Sequence, residues 1–148
     1  MTDPHSPIAE LAGHMLGGVP HSMALGLLLV AAEEGFGSMR VPWRADLVGD
    51  AETQVIAGGV VTALMDHCAG LAVSTSAGSE PFSTATLDLR IDYMRPAAPG
   101  AGVTCEARCY RLTRTIGFVR AEAFDVDAAD PIATAQAAFI VRRPEVQS

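Results

Sequence analysis

The sequence predicts an α+β domain in which an antiparallel β-sheet wraps one long central helix, and three observations carry that expectation. Residues 60–76 (VVTALMDHCAGLAVSTS) form the longest apolar segment, with apolar side chains on nearly every helical face, as in a helix buried on all sides. The pattern then changes period: Leu87, Leu89, Ile91 and Tyr93 interleave with Asp88, Arg90 and Asp92, the two-residue alternation of a strand. Finally, 148 residues with 49% hydrophobic and 18% charged suit one domain with an ample core. Only 5% are aromatic, so that core is built from Ala, Val, Leu and Ile, which favours close packing of helix on sheet.

The remaining elements follow in order. Residues 8–16 read as a short helix, preceded by Asp3-Pro4 and Ser6-Pro7 and ended by Gly17-Gly18. Pro20-His21-Ser22 opens a second short segment. Residues 26–34 read mostly as a strand, Gly35 as a turn, and residues 38–44 as the antiparallel partner. Residues 47–54 are polar and read as a loop. Beyond the long helix, which Gly78 ends, residues 96–102 make a turn-rich break. Strands follow at 103–112, 117–126 and 132–142, with a tight connection at 127–131. Ala121, Ala123, Ala133, Ala135 and Ala137 are small enough to let a helix approach the sheet. The expected order is a strand pair, the long helix, then a four-strand meander.

Composition narrows the function. A net charge of −7 with no basic run argues against a nucleic-acid partner, while a few local arginines and helix N-termini can still hold a small anion. Cys68, Cys105 and Cys109 are odd in number and lack a CxxC, so no disulfide framework or zinc site is expected; reduced, buried thiols in a cytoplasmic protein fit better. Residues 1–10 carry acids and no basic cluster, unlike a signal peptide, and the apolar run 23–32 is too short to span a bilayer, so no membrane partner is expected. His5, His14 and His21 show no metal-ligand pattern, and Ser74 and Ser76 lack a nucleophile elbow. His67 reads as a core or interface residue, because adjacent helical positions point about 100° apart.

Asp66 is the one formal charge between Glu52 and Glu80, placed mid-helix among Leu64, Met65, Cys68 and Ala69. A carboxylate in such surroundings needs donors, water or a proton, and perturbed acids collect at functional sites. Gly58-Gly59 stands where the helix starts. Its first-turn N–H groups have no helical acceptor and its dipole adds positive potential, which together suit an oxyanion. Eight residues separate Gly58 from Asp66, about 12 Å along a helix, whereas an acid and an oxyanion donor serving one carbonyl must both lie within roughly 3–4 Å of it. Two such helices antiparallel across a twofold axis would bring each acid to the other's N-terminus, so this chemistry demands at least a homodimer.

The run VIAGGVVTALMDHCAG, with the later YMRPA at residues 93–97, resembles the hotdog-fold acyl-CoA thioesterases of the phenylacetic-acid-degradation (PaaI-like) group, over about residues 20–142. The resemblance implies an N-terminal helical segment (1–19), a hotdog domain (20–143) and a short tail (144–148). It implies hydrolysis of an acyl-CoA thioester without metal or redox cofactor, in a homo-oligomer that reaches a tetramer. Asp66 would be general base or nucleophile, Gly58 with Gly59 the oxyanion donors, and Thr86 a residue that helps hold the water. Arg95, Arg111 and Arg114 would bind the CoA phosphates. One departure is plain: the family commonly has His-Gly-Gly, and Ala57 stands in place of the His. The Asn expected upstream falls near Asp50 or Ala51, with Gln54 as a substitute at shifted spacing. A binder of acyl-CoA without turnover is therefore the second reading. A hotdog hydratase or dehydratase, which wants a His across the substrate from the Asp, is the third.

Overall fold

The structure is a computed structural model that describes residues 3–78, 80 and 82–145. Two N-terminal helices, α1 (Pro7–Gly17) and α2 (Pro20–Leu25), lead into β1 (Leu28–Glu33) and β2 (Phe36–Val41). A 3₁₀ turn (Ala45–Leu47), β3 (Val48–Asp50) and β4 (Val55–Ile56) precede the 17-residue α3 (Gly58–Ser74). Then come β5 (Ser83–Tyr93), β6 (Val103–Leu112), β7 (Ile116–Phe124) and β8 (Ala133–Arg142). β1, β2, β6, β7, β8 and β5, in that spatial order, form one antiparallel six-stranded sheet that packs around α3, as expected of a hotdog domain.

α3 is held close to the sheet by two glycines rather than by alanines alone. A Cβ on Gly37 would meet Leu71 Cδ2 at 2.8 Å, and one on Gly117 would meet Val73 Cγ1 at 2.6 Å. Either substitution forces the helix outward or the side chain off its rotamer, a cost of about 1–3 kcal/mol in a packed core. Ala121, Ala123, Ala133, Ala135 and Ala137 are buried on the same inner face, as predicted. Cys68 and Cys105 are buried free thiols. Cys68 Sγ donates to the carbonyls of Gly37 and Cys105, and the neighbouring Cys68 thiol together with burial pushes the Cys105 thiol well up. Among the described residues, no helix is long and apolar enough to cross a membrane.

Three sequence expectations need correction. Residues 47–54 are not a plain loop: β3 and β4 pair as a small second sheet, because Val48 and Ile56 find each other across the tight turn at residues 51–54. The last four strands are not a meander. β5 lies beside β8 at the far edge, and β6 pairs with β2, so that β7 and β8 lie in the sheet between β5 and β6, its sequence neighbour. The two-residue period also slips once. Thr86 pairs with Phe139 and Asp88 with Ala138, which leaves Leu87 as the extra residue of a β-bulge, 55% exposed. The bulge turns Thr84 and Thr86 on one side, and Leu89 and Ile91 on the other, to the same inner face.

Candidate active site

α3 starts at Gly58 because Ala57 adopts extended backbone (φ −60°, ψ 141°) and offers no side-chain cap. The N–H groups of Gly58 and Gly59 find no acceptor among the described residues, so the first turn presents free donors at a positive helix end. Gly59 has open space where a Cβ would stand. The Gly58 carbonyl, in contrast, is engaged: the Tyr93 hydroxyl donates to it at 2.8 Å and Thr62 Oγ1 at 3.1 Å, with Thr62 and Tyr93 also in contact. Tyr93, at the end of β5, thereby fixes the helix start. Its role was hidden in the sequence, where it reads as one more apolar strand residue; its place in the YMRP segment was the available signal. An apolar cleft of about 400 Å³ opens beside it, lined by Gly58, Val61, Tyr93, Met94 and Ile132 among others.

Asp66 lies two turns further along α3 and is half-buried rather than sealed in the core. Thr86 Oγ1 donates to Asp66 Oδ1 at 2.7 Å, so the bulge in β5 serves to aim a hydroxyl at this carboxyl group. Thr86 thus positions the acid. The carboxyl group faces a cleft of about 370 Å³ whose other walls include Leu11, Met15 and Val19 from the N-terminal segment, with Phe82 and Phe139. No sequence motif marked the first three. Their i, i+4, i+8 spacing was the only trace.

His67 lines the same cleft, although adjacent helical positions diverge. Its Nδ1 shares a hydrogen bond of 3.3 Å with the Oγ of buried Ser22, and the His21 ring lies 5.7 Å away. Burial lowers its pKa and His21 lowers it further, against an opposing pull from Asp66, so the ring is neutral near pH 7. Among the described residues, no group of three or more His, Cys, Asp or Glu side chains is placed to hold a metal ion.

The remaining site residues divide. Arg95 forks onto Asp125, with Nη2–Oδ1 at 2.8 Å and Nη1–Oδ2 at 3.1 Å, and its Nη2 also donates to the Asp130 carbonyl. Its guanidinium is committed within the chain, where it ties the 94–102 connection to the end of β7. Arg111 and Arg114 are exposed at the β6–β7 turn, next to Gly117 of β7, which packs on Val73 about 10 Å along the helix from Asp66. Gln54 stands in the left-handed region (φ 58°) and its Nε2 donates to the Ala51 carbonyl, so its side chain serves its own turn and does not replace the missing Asn.

The Asp125 side chain is 2% exposed; besides Arg95 it accepts the Ala98 and Val126 N–H groups, and these donors, Arg95 first, hold its carboxyl well below the usual carboxylate range. The folded state therefore binds that proton less tightly than the unfolded chain. The resulting stability is complete above the ordinary carboxyl value of about 4 and drains away as pH falls below it. Arg95→Ala is expected to lower the melting temperature at neutral pH and to close the gap to wild type as pH falls from about 4. Melting curves across pH check this; a gap that stays constant into acid would show that the ion pair is not its source.

The family model described as Thioesterase superfamily matches residues 53–132. A curated relative from Salmonella typhimurium, named medium/long-chain acyl-CoA thioesterase YigI, is 30% identical over 135 residues, covering 83% of this chain and 86% of the relative. A Pseudomonas aeruginosa crystal structure superposes with a TM-score of 0.81 at 38% identity, covering 90% of this chain and 98% of that one. The Escherichia coli PaaI protein of the phenylacetic acid degradation operon shares the fold at TM-score 0.79 and 19% identity, covering 94% of each chain. The chain belongs to the thioesterase superfamily, as a hotdog-fold, PaaI-like enzyme whose reaction class is thioester hydrolysis.

Proposed function

We propose that the protein hydrolyses acyl-CoA thioesters at two identical sites, each shared between two copies of the chain. The observation that carries this reading is Asp66: an acid on the buried helix, held by Thr86 and turned into a largely apolar cleft. Within one copy Asp66 and the free Gly58 and Gly59 donors lie about 12 Å apart along the helix, too far to serve one carbonyl. β5 supplies the means of joining them. It is an 11-residue edge strand, and Leu87, Tyr93 and Met94 on or just beyond it are each more than half exposed. A free edge of that length with exposed apolar side chains suits antiparallel pairing with its own copy across a twofold axis. That pairing brings the cleft at one helix start against the partner's Asp66 cleft.

In such a site the glycine N–H groups receive the carbonyl oxygen as it gains charge. Asp66 takes a proton from water as the water oxygen bonds to the carbonyl carbon. When the tetrahedral adduct collapses, the C–S bond breaks and the sulfur leaves as the CoA thiol, taking that proton back. Direct attack by the carboxyl group, through an anhydride that water then opens, uses the same donors. Neither route asks for a metal or redox cofactor. Arg111 and Arg114, exposed at the β6–β7 turn, are the cations proposed for the CoA phosphates.

The acyl chain is proposed to lie in the Asp66 cleft against α1. Met15 walls this cleft and also a smaller cavity of about 50 Å³ lined by Ala12, Leu16 and Met39. It stands as a partition that sets chain length. Against a panel of acyl-CoAs from short to long, Met15→Ala is expected to move the kcat/KM optimum to longer chains, and Met15→Trp to shorter ones. Each added or lost methylene is worth about 1–3 kcal/mol, so shifts of roughly tenfold or more are measurable. Identical profiles for wild type and both variants would place the acyl chain elsewhere. Thiol release in the same assay separates hydrolysis from the competing reading, tight binding without turnover, which draws on Ala57 standing where a His-Gly-Gly motif would have its His.

A further inference from the structure

One strand reaches both ends of the proposed chemistry. β5 sends Thr86 to the Asp66 carboxyl group and Tyr93, at its other end, to the start of α3. The second contact is unusual in the atom it uses. A cap side chain at a helix start accepts from N–H groups of the first turn and thereby occupies them. Ala57 makes no such bond. Here the first turn is gripped by its carbonyl instead. The Gly58 oxygen accepts from the Tyr93 hydroxyl at 2.8 Å and from Thr62 Oγ1 at 3.1 Å, with the two hydroxyls themselves in contact. A helical threonine readily bonds the carbonyl four residues back. A tyrosine hydroxyl arriving from a neighbouring strand has no such local cause.

The Gly58 carbonyl and the Gly59 N–H belong to one planar trans peptide, so they point in opposite directions, and fixing the first fixes the second. With the carbonyl tied to Tyr93 and Thr62, the Gly59 N–H faces out of the helix start. Neither it nor the Gly58 N–H has an acceptor among the described residues. Paired glycines need such a restraint, because their backbone freedom would otherwise spread those N–H groups over many directions. Hydrogen bonds to a carbonyl also polarise its amide and make the attached N–H a stronger donor. Tyr93 is 51% exposed in one copy. The β5 pairing proposed above would cover it and exclude the water that competes for its hydroxyl.

We infer that Tyr93, assisted by Thr62, is a positioning residue for thioester hydrolysis: it holds the Gly58–Gly59 peptide in the orientation an oxyanion needs and leaves the N–H groups free to meet it. The inference rests on the reading of these glycines as oxyanion donors and adds what aims them. It makes β5 the frame of the whole site. Thr86 aims the acid, Tyr93 aims the donors, and pairing of two β5 strands sets one chain's acid against the other's donors. Tyr93 acts through the peptide and does not touch the reacting carbonyl. Donors aimed at charge that develops only in the transition state add little to substrate binding, so a loss of aim falls on kcat rather than KM.

Tyr93→Phe removes the hydroxyl and keeps the ring, whose Cε1 stands 3.8 Å from where a Gly58 Cβ would be. Thr62→Val and Thr62→Ser separate shape from hydroxyl on the helix side. Hydrolysis of one acyl-CoA that the wild type cleaves is followed for all three, with Gly58→Pro alongside, at concentrations where light scattering gives each the wild-type mass. Tyr93→Phe is expected to lower kcat about three- to tenfold, the value of one neutral hydrogen bond, at unchanged KM. Thr62→Val is expected to lose less, and Thr62→Ser to keep the wild-type kcat. A residue that merely supports the fold would lower the melting temperature and the active fraction with no such dependence on the hydroxyl. Wild-type kcat in Tyr93→Phe, a loss carried by KM alone, or equal rates in Thr62→Val and Thr62→Ser overturns the inference, while a slow Gly58→Pro in the same series upholds the donor reading. Wild-type kcat in Gly58→Pro removes the donor reading and this inference with it.

Discussion

Asp66→Asn is expected to lower kcat for acyl-CoA hydrolysis by about 10²–10⁴-fold, the usual contribution of a positioned proton acceptor, and by more if the carboxyl group is itself the nucleophile. The substitution is nearly isosteric. The amide oxygen can still accept the 2.7 Å hydrogen bond from Thr86, so the bulge in β5 and the packing of α3 on the sheet have no cause to change. The only loss is the capacity to take a proton or form an acyl bond. Melting temperature and oligomer mass should match wild type while thiol release fails. Thr86→Val gives the graded counterpart: it removes the donor and leaves the acid, so kcat falls by less, with Asp66 free to turn. A panel in which Asp66→Asn retains wild-type kcat on every acyl-CoA that the wild type cleaves would remove Asp66 from the chemistry.

How much of this was legible in the sequence depends on range. The long helix, the strands from β6 to β8 and the place of Asp66 on that helix are local patterns, and each stands in the structure where the residues implied. Gly58 was readable as a helix start because paired glycines stand directly before the buried apolar run, although such a pair more commonly marks a plain turn. What failed was set by pairing across distance. Nothing local says that β5 bonds to β8 rather than to β6, since Tyr93 and Val103 are joined by a short connection that would suit a hairpin equally. The bulge at Leu87 leaves no signature in a run of alternating residues. It is defined only against Phe139 and Ala138, yet it decides that Thr86 reaches Asp66. Arg95 shows the converse. As a sequence letter it is a free cation suited to phosphate, and only the fold brings Asp125, 30 residues on, into a fork with it.

The proposed sharing of the site between two copies is open to a test that an active site within one chain cannot pass. Gly58→Pro removes the first N–H of α3 and little else. Proline is favoured at the first helical position, and the extended backbone of Ala57 (ψ 141°) is what a residue before proline requires. A Cβ there meets Tyr93 Cε1 at 3.8 Å, ordinary contact. The expected loss is about 10²–10³-fold in kcat, the value of one oxyanion donor. Asp66→Asn and Gly58→Pro are thus two inactive proteins with different defects. Unfolded together and refolded in equal amounts, they give mixed pairs in half of all dimers. In a mixed pair, one site joins the intact Asp66 of the proline variant to the intact Gly58 of the asparagine variant, and the other site has both defects. About one quarter of wild-type activity is then recovered, as twofold symmetry dictates. If acid and donor served one carbonyl from within the same chain, every site in the mixture would carry a defect and activity would stay at the level of the weaker parents. Recovery would therefore place the proposed acid and oxyanion donor on different copies, as a helix that holds them about 12 Å apart requires if both are to serve a single carbon.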